Sequence, residues 1–144
     1  MPRVRRGPRK RGEDDRDASA PGVWEGRLHL WVAISGHNAL GPGKIRLLEA
    51  IANTRSLSEA AKQLRMSYRL AWKHLRILEE RTGMTVVEPR RGGSQGGGTE
   101  LTSEGMALLN AYHDFHREVE EHVDTACRRH FSRWSRSGPE GSKA

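Results

Sequence analysis

Ser56-Leu57-Ser58-Glu59-Ala60-Ala61-Lys62-Gln63-Leu64-Arg65-Met66-Ser67-Tyr68-Arg69-Leu70-Ala71-Trp72-Lys73 contains two helix starts separated by a turn. Ser56 and Glu59 have the spacing in which a serine oxygen and a glutamate carboxylate reciprocally satisfy free backbone N–H groups. A short helix is predicted from there to about Leu64. Arg65-Met66-Ser67 interrupts it, and Ser67 is placed to accept a hydrogen bond from a backbone N–H two or three residues on. A further helix is predicted from Tyr68 to about Thr82, with Gly83 closing it in a left-handed cap. Ala71, Leu75 and Leu78 form its inward face, while Arg69, Trp72, Lys73 and Arg76 lie opposite. No acidic residue occurs between Lys62 and Leu78. A helix bearing cations without counter-charges, after a tight turn, is where a phosphate-bearing partner is expected.

Upstream, residues 28–35 alternate around β-formers and predict one strand, ended by Gly36, His37 and Asn38. After Pro42, the apolar residues Ile45, Leu48, Ile51 and Ala52 predict a first helix. Downstream, residues 84–89 and 99–102 predict two short strands. The stretch Arg90-Arg91-Gly92-Gly93-Ser94-Gln95-Gly96-Gly97-Gly98 joins them as a flexible basic loop. Thr102 or Ser103 caps a last helix, residues 103–131, whose stripe Leu108, Leu109, Tyr112, Phe115, Val119, Val123 and Ala126 outruns what a small domain can cover. The fold expected is mainly α with a small β-wing: a winged helix-turn-helix with a long C-terminal dimerisation helix, over residues 23–131. Residues 1–22 hold seven basic and four acidic residues and almost nothing apolar, which predicts a disordered basic arm. That arm either touches phosphates or is a solvated tail. Residues 132–144 read as a disordered polar tail.

The 144 residues carry 25 Lys and Arg against 18 Asp and Glu, a net charge of +7. That balance favours a polyanion, nucleic acid before a membrane surface. No run reaches the roughly 20 apolar residues of a membrane span, and the Arg-rich start lacks a signal peptide's apolar block. A soluble, cytoplasmic protein is expected. The single Cys127 excludes an intramolecular disulfide and a classical zinc finger. His113, His116, Glu120, His122, Cys127 and His130 recur on the last helix, but Cys127 with His130 supplies only two ligands, so no metal and no cofactor is expected. Gly41-Pro42-Gly43-Lys44-Ile45 departs from a phosphate loop at Asn38 and Ile45, and no Gly-x-Ser-x-Gly elbow occurs. Catalysis is not expected.

The quoted stretch, with Leu78-Glu79-Glu80-Arg81-Thr82-Gly83 and Leu101-Thr102-Ser103-Glu104-Gly105-Met106-Ala107-Leu108-Leu109, resembles the winged helix-turn-helix of LysR-type regulators. Residues 66–73 and the Gly-rich wing, residues 92–98, are similar to the N-terminal domain of molybdate-responsive, ModE-type regulators. The resemblance covers about residues 28–115. It implies a DNA-binding domain that dimerises through the first strand and helix together with the long last helix. Sensing in that family belongs to a separate C-terminal molybdate-binding module. Only a polar tail follows Phe131 in this sequence, so molybdate sensing is not expected to carry over.

Expected at the DNA are Ser67, Tyr68, Arg69, Trp72, Lys73 and Arg76 of the third helix and its cap, Arg90 and Arg91 of the wing, and Thr99 and Thr102. Trp72 either faces DNA or packs on the second helix or wing, and Ser67 is an N-cap first. Arg90 and Arg91 reach the minor groove or backbone, or lie in a loop with incidental charge. Leu109, Tyr112, His116, Val119 and Val123 are expected to pair with a second copy, unless the last helix folds back on its own domain. That helix, with six acidic residues against three arginines, should point away from DNA. The function expected is a sequence-specific, double-stranded DNA-binding transcriptional regulator acting as a homodimer. The alternative is a protein-interaction or architectural module without sequence readout.

Overall fold

The apolar positions spaced three and four apart between Pro42 and Thr82 become three helices around one core. A computed structural model describes residues 23–93 and 96–134, so the arm expected over residues 1–22 and the tail beyond Trp134 lie outside the described residues. The order is β1 (Val32–Ile34), β2 (His37–Leu40), α1 (Pro42–Thr54), α2 (Leu57–Gln63), α3 (Tyr68–Thr82), β3 (Val87–Gly93), β4 (Gly96–Leu101) and α4 (Ser103–Phe131). A 3-10 turn, Ser132–Trp134, extends the described chain three residues past Phe131. The architecture is a winged helix-turn-helix, mainly helical, with two separate antiparallel hairpins and a long last helix.

Leu48, Ile51, Leu75, Leu78 and Val86 are at most 1% exposed and form the centre of the core, to which α2 adds Leu57, Ala60 and Ala61. The predicted inward face of α3, Ala71, Leu75 and Leu78, is the buried one. Leu47 and Ala50 join it from α1, whereas Ala52 stays half-buried. Among the described residues no polar or charged side chain is fully buried, so hydrophobic burial carries the fold.

Three sequence expectations need correction. Of the single strand expected over residues 28–35, only Val32–Ile34 is strand, and it is the first arm of a hairpin. Ser35 (φ 50°) and Gly36 (φ 79°) form its two-residue turn, and His37 and Asn38 belong to β2. Two successive positive φ values match the twist of a tight hairpin, which makes this a turn and not a strand end. The basic loop after Pro89 is also largely strand, since Arg90 pairs with Gly98 and Gly93 with Gly96. The reciprocal cap at α2 forms only in part. Ser56 Oγ accepts the Glu59 N–H at 3.2 Å, but the Ser56 N–H goes to Thr54 Oγ1, and the Glu59 carboxylate meets Lys62 at 3.3 Å.

Residues 23–31 have no regular structure, and they run antiparallel along α4. The Tyr112 hydroxyl donates to the Leu30 carbonyl at 2.8 Å, and the Gly26 N–H donates to Asp124 Oδ1 at 3.2 Å. Trp24 stacks on Phe131, with ring centroids 5.2 Å apart and planes 6° from parallel. Gly26 lies so close to Val123 and Cys127 that a Cβ there would overlap the Val123 side chain.

Candidate nucleic-acid interface

The turn between α2 and α3 is set by backbone hydrogen bonds. Arg65, in the left-handed region at φ 54°, lets its own N–H reach Lys62 O at 3.1 Å and the Met66 N–H reach Ala61 O at 3.0 Å. These two bonds define a Schellman motif, which ends α2 and aims the chain into α3. Ser67 then caps α3, its Oγ accepting the Leu70 N–H at 3.1 Å. That bond uses the oxygen as acceptor and leaves the hydroxyl proton free to donate to a phosphate.

Because Ala71, Leu75 and Leu78 are held in the core, the other side of α3 is turned outwards. Tyr68 is 58% exposed and Trp72 45%, and Arg69, Lys73 and Arg76 are exposed beside them. Among the described residues no carboxylate lies within ion-pair distance of Arg69, Lys73 or Arg76. Other basic groups lie near one another on α1 and α3. Burial, then the Arg81 charge, pushes the Lys44 ammonium below its ordinary range. Burial, then Lys44 and Lys73, likewise pushes His74 down.

The wing is tied to α3 at its root and to the turn between α1 and α2 further out. At its root, Glu79 of α3 accepts the N–H groups of Val86 (2.9 Å) and Val87 (3.4 Å). Further out, the Thr99 N–H donates to the Arg55 carbonyl at 3.1 Å, and the Arg55 guanidinium meets the Glu100 carboxylate at 2.8 Å. Arg90 is half-buried on β3 opposite Gly98. The backbone of Arg91 lies in β3, and its side chain is outside the described residues. Thr99 is half-buried at the middle of the wing. Thr102 sits at the root as the cap of α4. Its hydroxyl donates to Thr85 O at 2.6 Å and accepts the Gly105 N–H at 3.0 Å, so both roles are filled inside the chain.

The residues expected to pair with a second copy divide into two groups. Leu109 and Tyr112 are buried in the chain's own core, at 5% and 6% exposure, because the first half of α4 folds back against α1. Val123 lies under Gly26, and His116 and Val119 remain half-buried, with Phe115 beside them 45% exposed. Sequence reasoning missed Arg55, Glu79 and Glu100. Their roles depend on partners 45 residues away for Arg55 and seven or eight residues away for Glu79, and no local spacing signals such contacts. Among the described residues no three His, Cys, Asp or Glu side chains converge as a metal site. No helix there is long and apolar enough to cross a membrane.

Part of the chain is similar in sequence to known proteins. Residues 43–106 match the family described as bacterial regulatory helix-turn-helix protein, lysR family. The transcriptional regulator ModE of Haemophilus influenzae is 36% identical over 84 residues, which is 58% of this chain and 32% of that protein. The molybdenum-pterin-binding protein MopB of Rhodobacter capsulatus is 37% identical over 89 residues, 61% of this chain and 33% of that one. The DNA-binding transcriptional dual regulator ModE of Escherichia coli K12 is 37% identical over 71 residues, 49% and 27%. The chain thus spans about a third of the length of the curated relatives it matches. Among solved structures, the complex of the BenM DNA-binding domain with benA site 1 DNA aligns with a TM-score of 0.46 and 22% identity, over 62% of this chain and 94% of that one.

Proposed function

We propose, from a chain whose residues 43–106 form a LysR-type helix-turn-helix domain homologous to ModE regulators, that it binds double-stranded DNA sequence-specifically and regulates transcription as a homodimer. The observation that carries this reading is the outward face of α3, where Arg69, Lys73 and Arg76 stand exposed with no carboxylate partner among the described residues. A B-form major groove is wide enough to admit such a helix. Arg69 and Lys73 reach base edges, with Tyr68, Trp72 and Arg76 beside them. Ser67, at the helix start, donates to a phosphate. Arg90, Arg91 and Thr99 bring the wing against the backbone or minor groove, and Thr102 supports the wing from its root. The relatives' own names speak of transcriptional regulation and molybdenum, and the first of these is what the α3 face supports here.

Dimerisation gives this face its spacing. Phe115, His116 and Val119 on the outer part of α4 meet a second copy, and the net acidity of α4 keeps that contact away from the phosphates. A two-fold pair places recognition helices on half-sites roughly 34 Å apart. Selection of bound sequences from a random duplex pool tests the reading. A palindromic consensus with half-sites one turn apart is expected. Recovery of unenriched sequence, with binding governed by salt alone, would instead identify an architectural module without base readout.

A further inference from the structure

The β3–β4 wing is a lever fixed at its root by Glu79 and Thr102, and its strands run outwards from there at about 3.3 Å per residue. A two-stranded ribbon held only at its base would pivot. Midway along β4, the chain meets the turn between α1 and α2. Arg55 ends α1 in the left-handed region (φ 53°, ψ 32°), which takes its carbonyl out of the helical ladder and leaves it to accept the Thr99 N–H at 3.1 Å. The approach is so close that a Cβ on Gly98 would overlap that same carbonyl oxygen. The Arg90 side chain lies across the slot, its Nε 3.2 Å from where that Cβ would stand. The Arg55 guanidinium completes the contact on Glu100 at 2.8 Å. Glu100 sits directly opposite Glu88 in the wing's register, and two like charges so placed repel. Arg55 is the cation that offsets them.

We infer that Arg55 and Gly98 are positioning residues that lock the wing to the α1–α2 turn, so that wing and α3 meet a duplex as one rigid surface of fixed separation. Its consequence for DNA rests on the function proposed above. Neither side chain need touch the nucleic acid. Arg55 acts through Glu100 and Thr99, and Gly98 acts by admitting the carbonyl of Arg55.

The test uses the full chain with two readouts: backbone ¹⁵N relaxation of wing amides without DNA, and affinity for a pool-selected duplex across a salt series. Gly98→Ala should lower wing order parameters from about 0.85 to below about 0.6. It should weaken binding at least about tenfold and flatten the log–log salt slope by about one to two, as one or two phosphate contacts are lost. Arg55→Gly keeps the left-handed backbone and removes only the side chain. It should weaken binding by about two- to fivefold, the range of a partly exposed ion pair, and Arg55→Lys should restore most of the loss. Wild-type order parameters and salt slope in Gly98→Ala overturn the inference. Should Gly98→Ala fail to fold, Arg55→Gly and Glu100→Gln are read on the same two measurements, and unchanged values in both overturn it equally. A wild-type chain that binds no duplex overturns the DNA reading, while the relaxation series still decides the lock.

Discussion

Arg69 and Lys73 lie one helical turn apart on α3, and no carboxylate among the described residues restrains either of them. A guanidinium presents two parallel N–H donors to one base edge in a rigid planar fork, whereas an ammonium on a flexible stem is less pre-organised for the same contact. Arg69→Ala should therefore cost about 1–3 kcal/mol of discrimination, lowering affinity for the selected duplex more than for random DNA. Gel shifts on both duplexes measure this, and equal losses would rule out base readout at that position. Glu49 shows the opposite kind of residue, an ion whose surroundings oppose its charge. Burial raises its carboxyl above the ordinary value, and His113, 3.0 Å away, and Arg46 offset only part of that. A carboxyl whose folded value lies above its unfolded one holds its proton more tightly in the native state, so stability falls as pH rises from about the unfolded value through the folded one. Glu49→Gln keeps an acceptor for His113 and removes the ionisation. Its melting temperature should exceed wild type at neutral pH and match it near pH 4, as calorimetry over that range would show.

At the scale of elements, caps and inward faces were legible because each depends on residues within four positions of one another. Ser67, Gly83, Thr102 and the Ala71, Leu75 and Leu78 face are of this kind. Ser67→Ala leaves the Leu70 N–H without its acceptor and should cost about 1 kcal/mol of stability, read from urea unfolding. Leu75→Ala, at the centre of the same helix, should cost about 2–5 kcal/mol, since a 1% exposed leucine leaves a cavity the core cannot close. The wing was legible only in outline. Glycines have poor strand propensity, so residues 90–98 read as a loop. Arg90 nevertheless pairs with Gly98 and Gly93 with Gly96, and the α1–α2 turn presses on Gly98, neither of which is a property of the glycine run itself.

For the whole molecule, the long stripe of α4 has two different owners. Its first half closes the domain's own core through Leu109 and Tyr112, and residues 23–31 cover part of its second half through Gly26 and Trp24. What remains outside, Phe115 with His116 and Val119, is a smaller surface than the sequence suggested. A homodimer built on it should scatter light at micromolar concentration with twice the 16.2 kDa of one chain. Phe115→Arg, which sets like charges across the two-fold axis, should return it to the single-chain mass. A wild-type protein at the single-chain mass would reject the pairing.

The sequence by itself determined the order of helices, the caps at both ends of α3, the apolar face of that helix and the cationic face opposite. These follow from spacing along one stretch of chain and from local backbone chemistry. The tertiary structure alone decided that residues 32–40 turn back as a hairpin, that Arg55 contacts the wing, and that Leu109 and Tyr112 of the α4 stripe are core. Each of those depends on which distant surfaces come into contact, and a single sequence records contact partners only through the packing they achieve.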